Sequence, residues 1–331
     1  MKKIVFLFST INTRKKYFFT FSGQKVGGLL GRLYPQRVEV SSISWDDTLA
    51  DELASCVYPS ALMRSLMTAQ IVAQYAPEGY EVLCTNVPHV RNSIVLVEKE
   101  VVNRRKLLFY LRMLGNTVLV DLVDGRLKPD RLRLVDGIIC CSRQGEGAYK
   151  NSQQRVPVHF VQHCVDPRLP RVEPPTEQLR ARYFGAPQNL FLPEGMLGKV
   201  EISLTEDENK LPTRQWISDL SRANFHYAVR TKVKDYTYKP FMKGFIAANC
   251  SSNILIHEND GDALYYLGGD YPYLLRGELT EEAISFCFDR AEKEFGGPVW
   301  NKGLAIMEKI RSVCTDEVVA DQFWEMVRAY G

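Results

Sequence analysis

The chain has 331 residues, 45% of them apolar and 24% charged, with a net charge of +3. That length holds two domains of ordinary size, each able to bury a core, and the composition excludes a disordered or low-complexity chain. So small a net charge gives no ground for a nucleic-acid partner, and no run nears the roughly 20 apolar residues of a bilayer-spanning helix.

Residues 3–9 read as a buried parallel strand rather than a signal peptide, because polar and basic NTRKK follows without a small-residue cleavage site. Gly23, Gly27, Gly28 and Gly31 come next, ahead of the strand-like RVEVSSIS. Glycines after a first strand either let backbone N–H groups approach an anion at a helix N-terminus or serve only a tight loop. Their spacing is not G-x-G-x-x-G, and no acidic residue stands where a dinucleotide needs it, so a Rossmann dehydrogenase is disfavoured.

The spacing in 62–75 predicts an amphipathic helix and YEVLCTNVP the next strand, with His89 just beyond its end. A histidine there is either structural or, facing a crevice at strand ends, catalytic. Residues 103–114 predict a basic amphipathic helix, whose Arg104, Arg105, Lys106 and Arg112 make a solvated face or touch anionic headgroups. TVLVDLVDG then predicts a strand carrying Asp121, with Asp124 at its carboxyl end. A carboxylate so placed acts as a base or caps the following loop.

VDGIICC and VPVHFVQH add two strands. His159 and His163 lie four apart in extended chain and lack the geometry of a zinc pair. The proline-rich RLPRVEPPTEQ behind them suits a linker and puts a boundary near residue 165. The eight cysteines form no C-x-x-C pair and sit in apolar surroundings, which fits buried thiols in a reducing cytoplasm.

In the second half NLFLPEG predicts a first strand, and Gly195 and Gly198 precede Lys199 and the strand KVEISLTE. FHYAVR predicts a strand, PFMKGFIAANC a helix with Pro240 at its first position, and SNILIHE another strand. Such a pattern belongs to a parallel sheet, whose ligands collect beyond the carboxyl ends of the strands, where Arg230 and Glu258 stand. Arg230, Lys232, Lys234, Lys239 and Lys243 converge on a helix N-terminus that is already partly positive. They form either a solvated basic loop or a cradle for a phosphate or diphosphate. Glu258, Asp260 and Asp262 follow in one turn, and Asp260-x-Asp262 superficially resembles a metal-binding pair. The cations upstream already supply the countercharge, so no metal is expected. Thr280 caps a helix that begins with Glu281 and Glu282, and 316–329 predicts the last one.

The string VRTKVKDYTYKPFMKGFIAANCSSNILI, with the acidic turn and DALYYLGGDYPYLL behind it, resembles the donor-binding half of glycosyltransferases of the GT-B architecture. The matching features are the Lys-Pro-x-x-Lys element at Lys239, Pro240 and Lys243 and the LG-D-YP turn. The resemblance implies an α/β fold of two Rossmann-like domains facing a cleft: residues 1–165 on the acceptor side, 166–315 holding the nucleotide-sugar, and a helix at 316–331 crossing back to the first domain. It implies transfer of a sugar from a nucleotide-sugar to a hydroxyl of a glycan, glycolipid or surface polysaccharide.

Under this resemblance Arg230, Lys239 and Lys243 hold the diphosphate, with Lys199 and the turn at Gly27 and Gly28 as further contacts. Glu258 and Asp262 meet the sugar or ribose, and Asp124, Asp121 and His89 are the catalytic candidates on the acceptor side. The donor is a substrate, and no further cofactor or metal is expected. The Glu-x7-Glu signature of many retaining members is absent, since Ile254 stands eight residues before Asp262, so retention and inversion both stay open. The alternatives are a non-catalytic protein binding a nucleotide or anionic glycan, and an epimerase of the same architecture. The expected location is cytoplasmic, with at most peripheral contact at the inner face of the membrane.

Overall fold

A computed structural model describes residues 1–11, 13–21, 28–34, 36–40, 52–53, 55–152, 155–206, 214–231 and 238–331. The chain divides into two compact units, Met1–Asp166 with Asp316–Gly331, and Pro167–Thr315.

The first unit is built on β1 (Lys2–Leu7), β2 (Tyr17–Thr20), β3 (Val38–Val40), β4 (Tyr80–Thr85), β5 (Ile94–Glu98), β6 (Thr117–Asp121), β7 (Gly137–Cys140) and β8 (Val158–Phe160). They lie in the order β3-β2-β4-β1-β5-β6-β7-β8. All neighbours pair parallel except β2 and β4, so β2 and β3 run against the rest. Alternation along β1 shows why the sheet is covered on both faces. Ile4 and Phe6 enter one apolar cluster, and Val5 and Leu7 enter another on the opposite side.

The first cluster includes Phe323, Trp324 and Val327 of the last helix, Asp316–Arg328. Phe323 stacks on Phe6 with ring centroids 5.4 Å apart, and Trp324 Nε1 donates to the Val72 carbonyl at 3.0 Å. The helix expected over 62–75 is composite: Leu62–Met67 winds as a π-helix, and Thr68–Gln74 continues as α-helix.

The second unit carries β9 (Ala181–Gly185), β10 (Val200–Leu204), β11 (Phe225–Tyr227), β12 (Asn253–His257) and β13 (Leu274–Leu275), in the order β10-β9-β11-β12-β13 and parallel throughout. Its first strand is ARYFG, not NLFLPEG. Pro187 and Pro193 punctuate the latter, which forms two 3-10 turns around an extended arm. That arm pairs Leu190 with Arg230, and Phe191 N–H donates to the Val229 carbonyl at 3.2 Å, so it pins the chain just beyond β11.

The helix after β11 runs Met242–Asn249 with Phe241 as its N-cap, so Pro240 lies before the helix rather than inside it. Thr280 caps the helix Glu281–Lys293 by accepting from Ala283 N–H. All eight cysteines are free and buried. Among the described residues no helix is long and apolar enough to cross a membrane.

Candidate functional site

In the second unit the parallel strands β9, β11 and β12 end at Gly185, Tyr227 and His257, and the helix Met242–Asn249 opens beside them. Lys243 lies in the first turn of that helix. Its ammonium is buried, has no hydrogen-bond acceptor, and stands 4.1 Å from the centroid of the Tyr183 ring. Tyr183 is fixed in turn by donating its hydroxyl to the Ala186 carbonyl at 2.7 Å. A Cβ on Gly185 would fall 2.5 Å from the Tyr183 hydroxyl and 3.2 Å from Lys243 Nζ, so only glycine leaves room where β9 ends.

His226 shares the pit that Lys243 lines with Phe184 and Tyr227, a space of ≈ 20 Å³ that admits one water-sized group. His226 Nε2 also lacks a partner. Burial, and then the charge of Lys243, push the His226 imidazolium down to about 3. Burial likewise drives the Lys243 ammonium well below the usual lysine range; Arg230 and Lys239 add to the depression, and Asp260 opposes it. A buried cation with cationic neighbours and no acceptor is what an anion at the strand ends would relieve.

Arg230 donates from Nε to Asp260 Oδ2 at 2.7 Å, with both side chains nearly buried. The acidic turn packs directly on the backbone of the basic loop. Gly261 has φ +60, and a Cβ there would lie 2.5 Å from the Lys239 carbonyl. Arg230, Lys239 and Lys243 are therefore brought together, although Lys239 precedes the helix and the two lysines do not share a helical face. Lys232, Lys234 and Gly27 lie outside the described residues.

Glu258, half-buried just past β12, accepts from Gly277 N–H at 2.8 Å. Asp262 is fully buried at the start of the helix Ala263–Leu267, so it offers no oxygen to a sugar or ribose. Asp260 is occupied by Arg230. Lys199 precedes β10 and so lies at the amino edge of the parallel sheet, away from the other cations. It pairs there with Asp289 (3.1 Å) and Glu292 (3.7 Å), which removes the diphosphate role expected of it.

In the first unit Gly28 opens the helix Gly28–Leu33. His89 Nδ1 is bonded to the Tyr34 hydroxyl at 3.1 Å, and its ring meets Tyr110 edge-on. Asp121 ends β6 and is consumed by structure. Arg64, turned inward by the π-helix, donates to Asp121 Oδ2 at 2.8 Å and to the carbonyls of Gln162 and Val161. Val123 N–H donates to Asp121 Oδ1 at 3.2 Å, and Val123 itself sits at φ +56, a strained region for a β-branched residue. With both oxygens engaged and 5% exposed, Asp121 is no base for a substrate. Asp124, three residues beyond the strand, is half-buried and accepts from Lys99 Nζ at 2.8 Å.

The sequence reading missed Glu98, which ends β5 directly beside Asp121 in the parallel register. It accepts from Ser9 Oγ at 2.6 Å and from Glu100 N–H at 2.7 Å, and burial raises its carboxyl above the usual range. The signal was the apolar run SIVLVEK, a buried strand closed by a carboxylate.

No family model matches the sequence, and no curated protein does. Solved structures do match. HepE of Anabaena, in complex with UDP-glucose, is similar over 99% of this chain and 100% of its own at 11% identity and a TM-score of 0.56. A glycosyltransferase from Rickettsia africae is similar over 98% of this chain and 97% of its own at 9% identity and a TM-score of 0.53. Against the GtfA/B complex, at 10% identity and a TM-score of 0.49, the match covers 72% of this chain and 57% of that one. Likenesses at such identity rest on the backbone, and those to HepE and the Rickettsia africae enzyme, with the mostly parallel sheet of the first unit and the parallel sheet of the second, give the chain its class: an α/β protein of the GT-B fold, made of two Rossmann-like domains.

Proposed function

We propose that the chain is a glycosyltransferase that moves a sugar from a nucleotide-sugar to a hydroxyl of a glycan, glycolipid or surface polysaccharide. The observation that carries this reading is the buried, acceptor-less Lys243 beside Arg230 and Lys239 at the carboxyl ends of the second unit's strands. A diphosphate there supplies the missing anion. As the glycosidic bond breaks, negative charge grows on the leaving phosphate, and fixed cations stabilise that charge more than the ground state. Glu258 is placed to meet the sugar or ribose. In the first unit, residues 1–165 serve the acceptor, and Asp124 is the carboxylate proposed to orient or deprotonate its hydroxyl. The helix at 316–331 belongs with that acceptor half. The donor is a nucleoside diphosphate sugar, and UDP-glucose is the first to try because the structurally similar HepE binds it.

The test is thermal stability and turnover with UDP-glucose and other nucleotide-sugars, with and without divalent metal and sugar acceptors. A ligand that binds only the folded state at about 100 times its dissociation constant stabilises by about 2.7 kcal/mol. The expected outcome is a metal-independent shift and release of nucleoside diphosphate when an acceptor is present. A protein that no nucleotide stabilises, while a phosphate-free glycan does, has no diphosphate site at Lys243.

A further inference from the structure

Beyond β6 the chain turns back over residues 122–125, closed by Gly125 N–H donating to the Leu122 carbonyl at 2.6 Å. The turn is tight, since a Cβ on Gly125 would lie 3.0 Å from the Leu122 carbonyl oxygen. Its first central residue, Val123, has φ +56, a conformation that turns normally give to glycine or asparagine. Among the described residues, Asn92 and Ser251 are the other non-glycines at positive φ, and Val123 alone of the three is β-branched, the class for which that conformation costs most. Two contacts clamp it there. Val123 N–H donates to Asp121 Oδ1 at 3.2 Å, and the Val123 carbonyl accepts from Cys141 Sγ at 3.4 Å. Asp121 is itself fixed by Arg64 Nε at 2.8 Å, and the Gly125 carbonyl accepts from the Tyr149 hydroxyl at 3.3 Å. A glycine at 123 would make the same turn without strain, so the fold alone gives no reason for a valine. Strain of this kind persists where it serves a site. The next residue is Asp124, half-buried and accepting from Lys99 Nζ at 2.8 Å, beyond the carboxyl end of a parallel strand, where ligands collect.

We propose that Val123 is a positioning residue for Asp124: its left-handed backbone, clamped between Asp121 and Cys141, and its branched side chain leave Asp124 a single backbone course, so that the carboxylate meets the acceptor hydroxyl in one orientation. The inference rests on the role given to Asp124 above. On a looser turn the carboxylate would still reach the hydroxyl, but it would hold the productive geometry for a smaller part of the time.

Val123→Gly in the full chain tests it, because glycine keeps the turn and removes both the strain and the stiffness. The variant should melt no lower than the wild type, and its amide protons at 123–125 should exchange about tenfold faster. Its kcat for transfer from UDP-glucose to a sugar acceptor should fall about tenfold, with KM for UDP-glucose unchanged because the donor cradle lies in the second unit. Val123→Ile, which keeps the branch, should retain most of the wild-type kcat. A merely structural valine predicts the reverse, a lower melt with kcat intact, and that result overturns the proposal. So does Val123→Gly with wild-type kcat, and so does a loss of kcat without faster exchange. A wild type that transfers no sugar from any nucleotide-sugar overturns the transferase reading and the role of Asp124 with it, an outcome distinct from an active wild type matched by an active Val123→Gly.

Discussion

Lys243 stands 4.1 Å from the Tyr183 ring centroid and has no hydrogen-bond acceptor, a relationship that costs the free protein stability. The ring face offers a cation some attraction, but less than a buried charge loses by leaving water. Lys243→Met keeps the apolar stem and removes the amine. It should stabilise the free protein by about 1–3 kcal/mol and abolish stabilisation by UDP. Thermal melts with and without UDP read both effects, and a variant that melts lower and still responds to UDP sinks the assigned role.

The same amine should make donor binding depend on pH. Burial, with Arg230 and Lys239 beside it, holds the Lys243 amine well below its ordinary 10.5 in the free site. A diphosphate favours the ammonium, and binding therefore takes up a proton. Affinity should weaken as pH rises. Calorimetry in buffers of different ionisation enthalpy reads the uptake directly, and Lys243→Met should lose it.

Arg64 and Asp121 separate a structural carboxylate from a catalytic one. Breaking a buried pair leaves a lone charge, so Arg64→Met or Asp121→Asn should each cost about 3–5 kcal/mol. The double variant should recover part of that loss, because it removes both charges. Denaturant titration of the two single variants and the double variant gives the coupling. If Asp121→Asn melts like the wild type and only turnover falls, Asp121 is the base after all.

What was legible in the sequence followed from periodicity and strand ends. The parallel strands of the second unit and the convergence of Arg230, Lys239 and Lys243 could be read because cations at strand ends violate a local charge rule. Tyr183 and His226 could not, because their meeting with Lys243 depends on how β9 and β11 pair, which no local pattern states. Asp121 misled for a related reason: its partner Arg64 comes from 57 residues upstream, on a π-helical turn that a 3.6-residue pattern hides. NLFLPEG misled because its apolar run, Leu190 to Leu192, is that of a strand, while Pro187 ahead of it and Pro193 within it break the ladder.

His226 and His163 give the last prediction, which concerns acid. Both are pushed down to about 3 from 6.5, in each case chiefly by burial. Below pH 6.5 the unfolded chain binds protons at these positions that the folded chain refuses. Stability is thus undiminished by them above that pH, and it is lost as pH falls from there toward about 3, by about 1.4 kcal/mol per pH unit for each histidine. Glu98, whose carboxyl burial raises, acts in the opposite sense near the carboxylate range, so wild type and variant must be compared at each pH. His226→Phe keeps a ring against Phe184, whose centroid lies 4.8 Å away, and removes one of the two titrations. Denaturant midpoints between pH 7 and pH 4 should therefore fall less steeply in the variant than in the wild type. Parallel curves would show that His226 takes up its proton in the folded protein, and that the pit beside Lys243 is wetter than its burial implies.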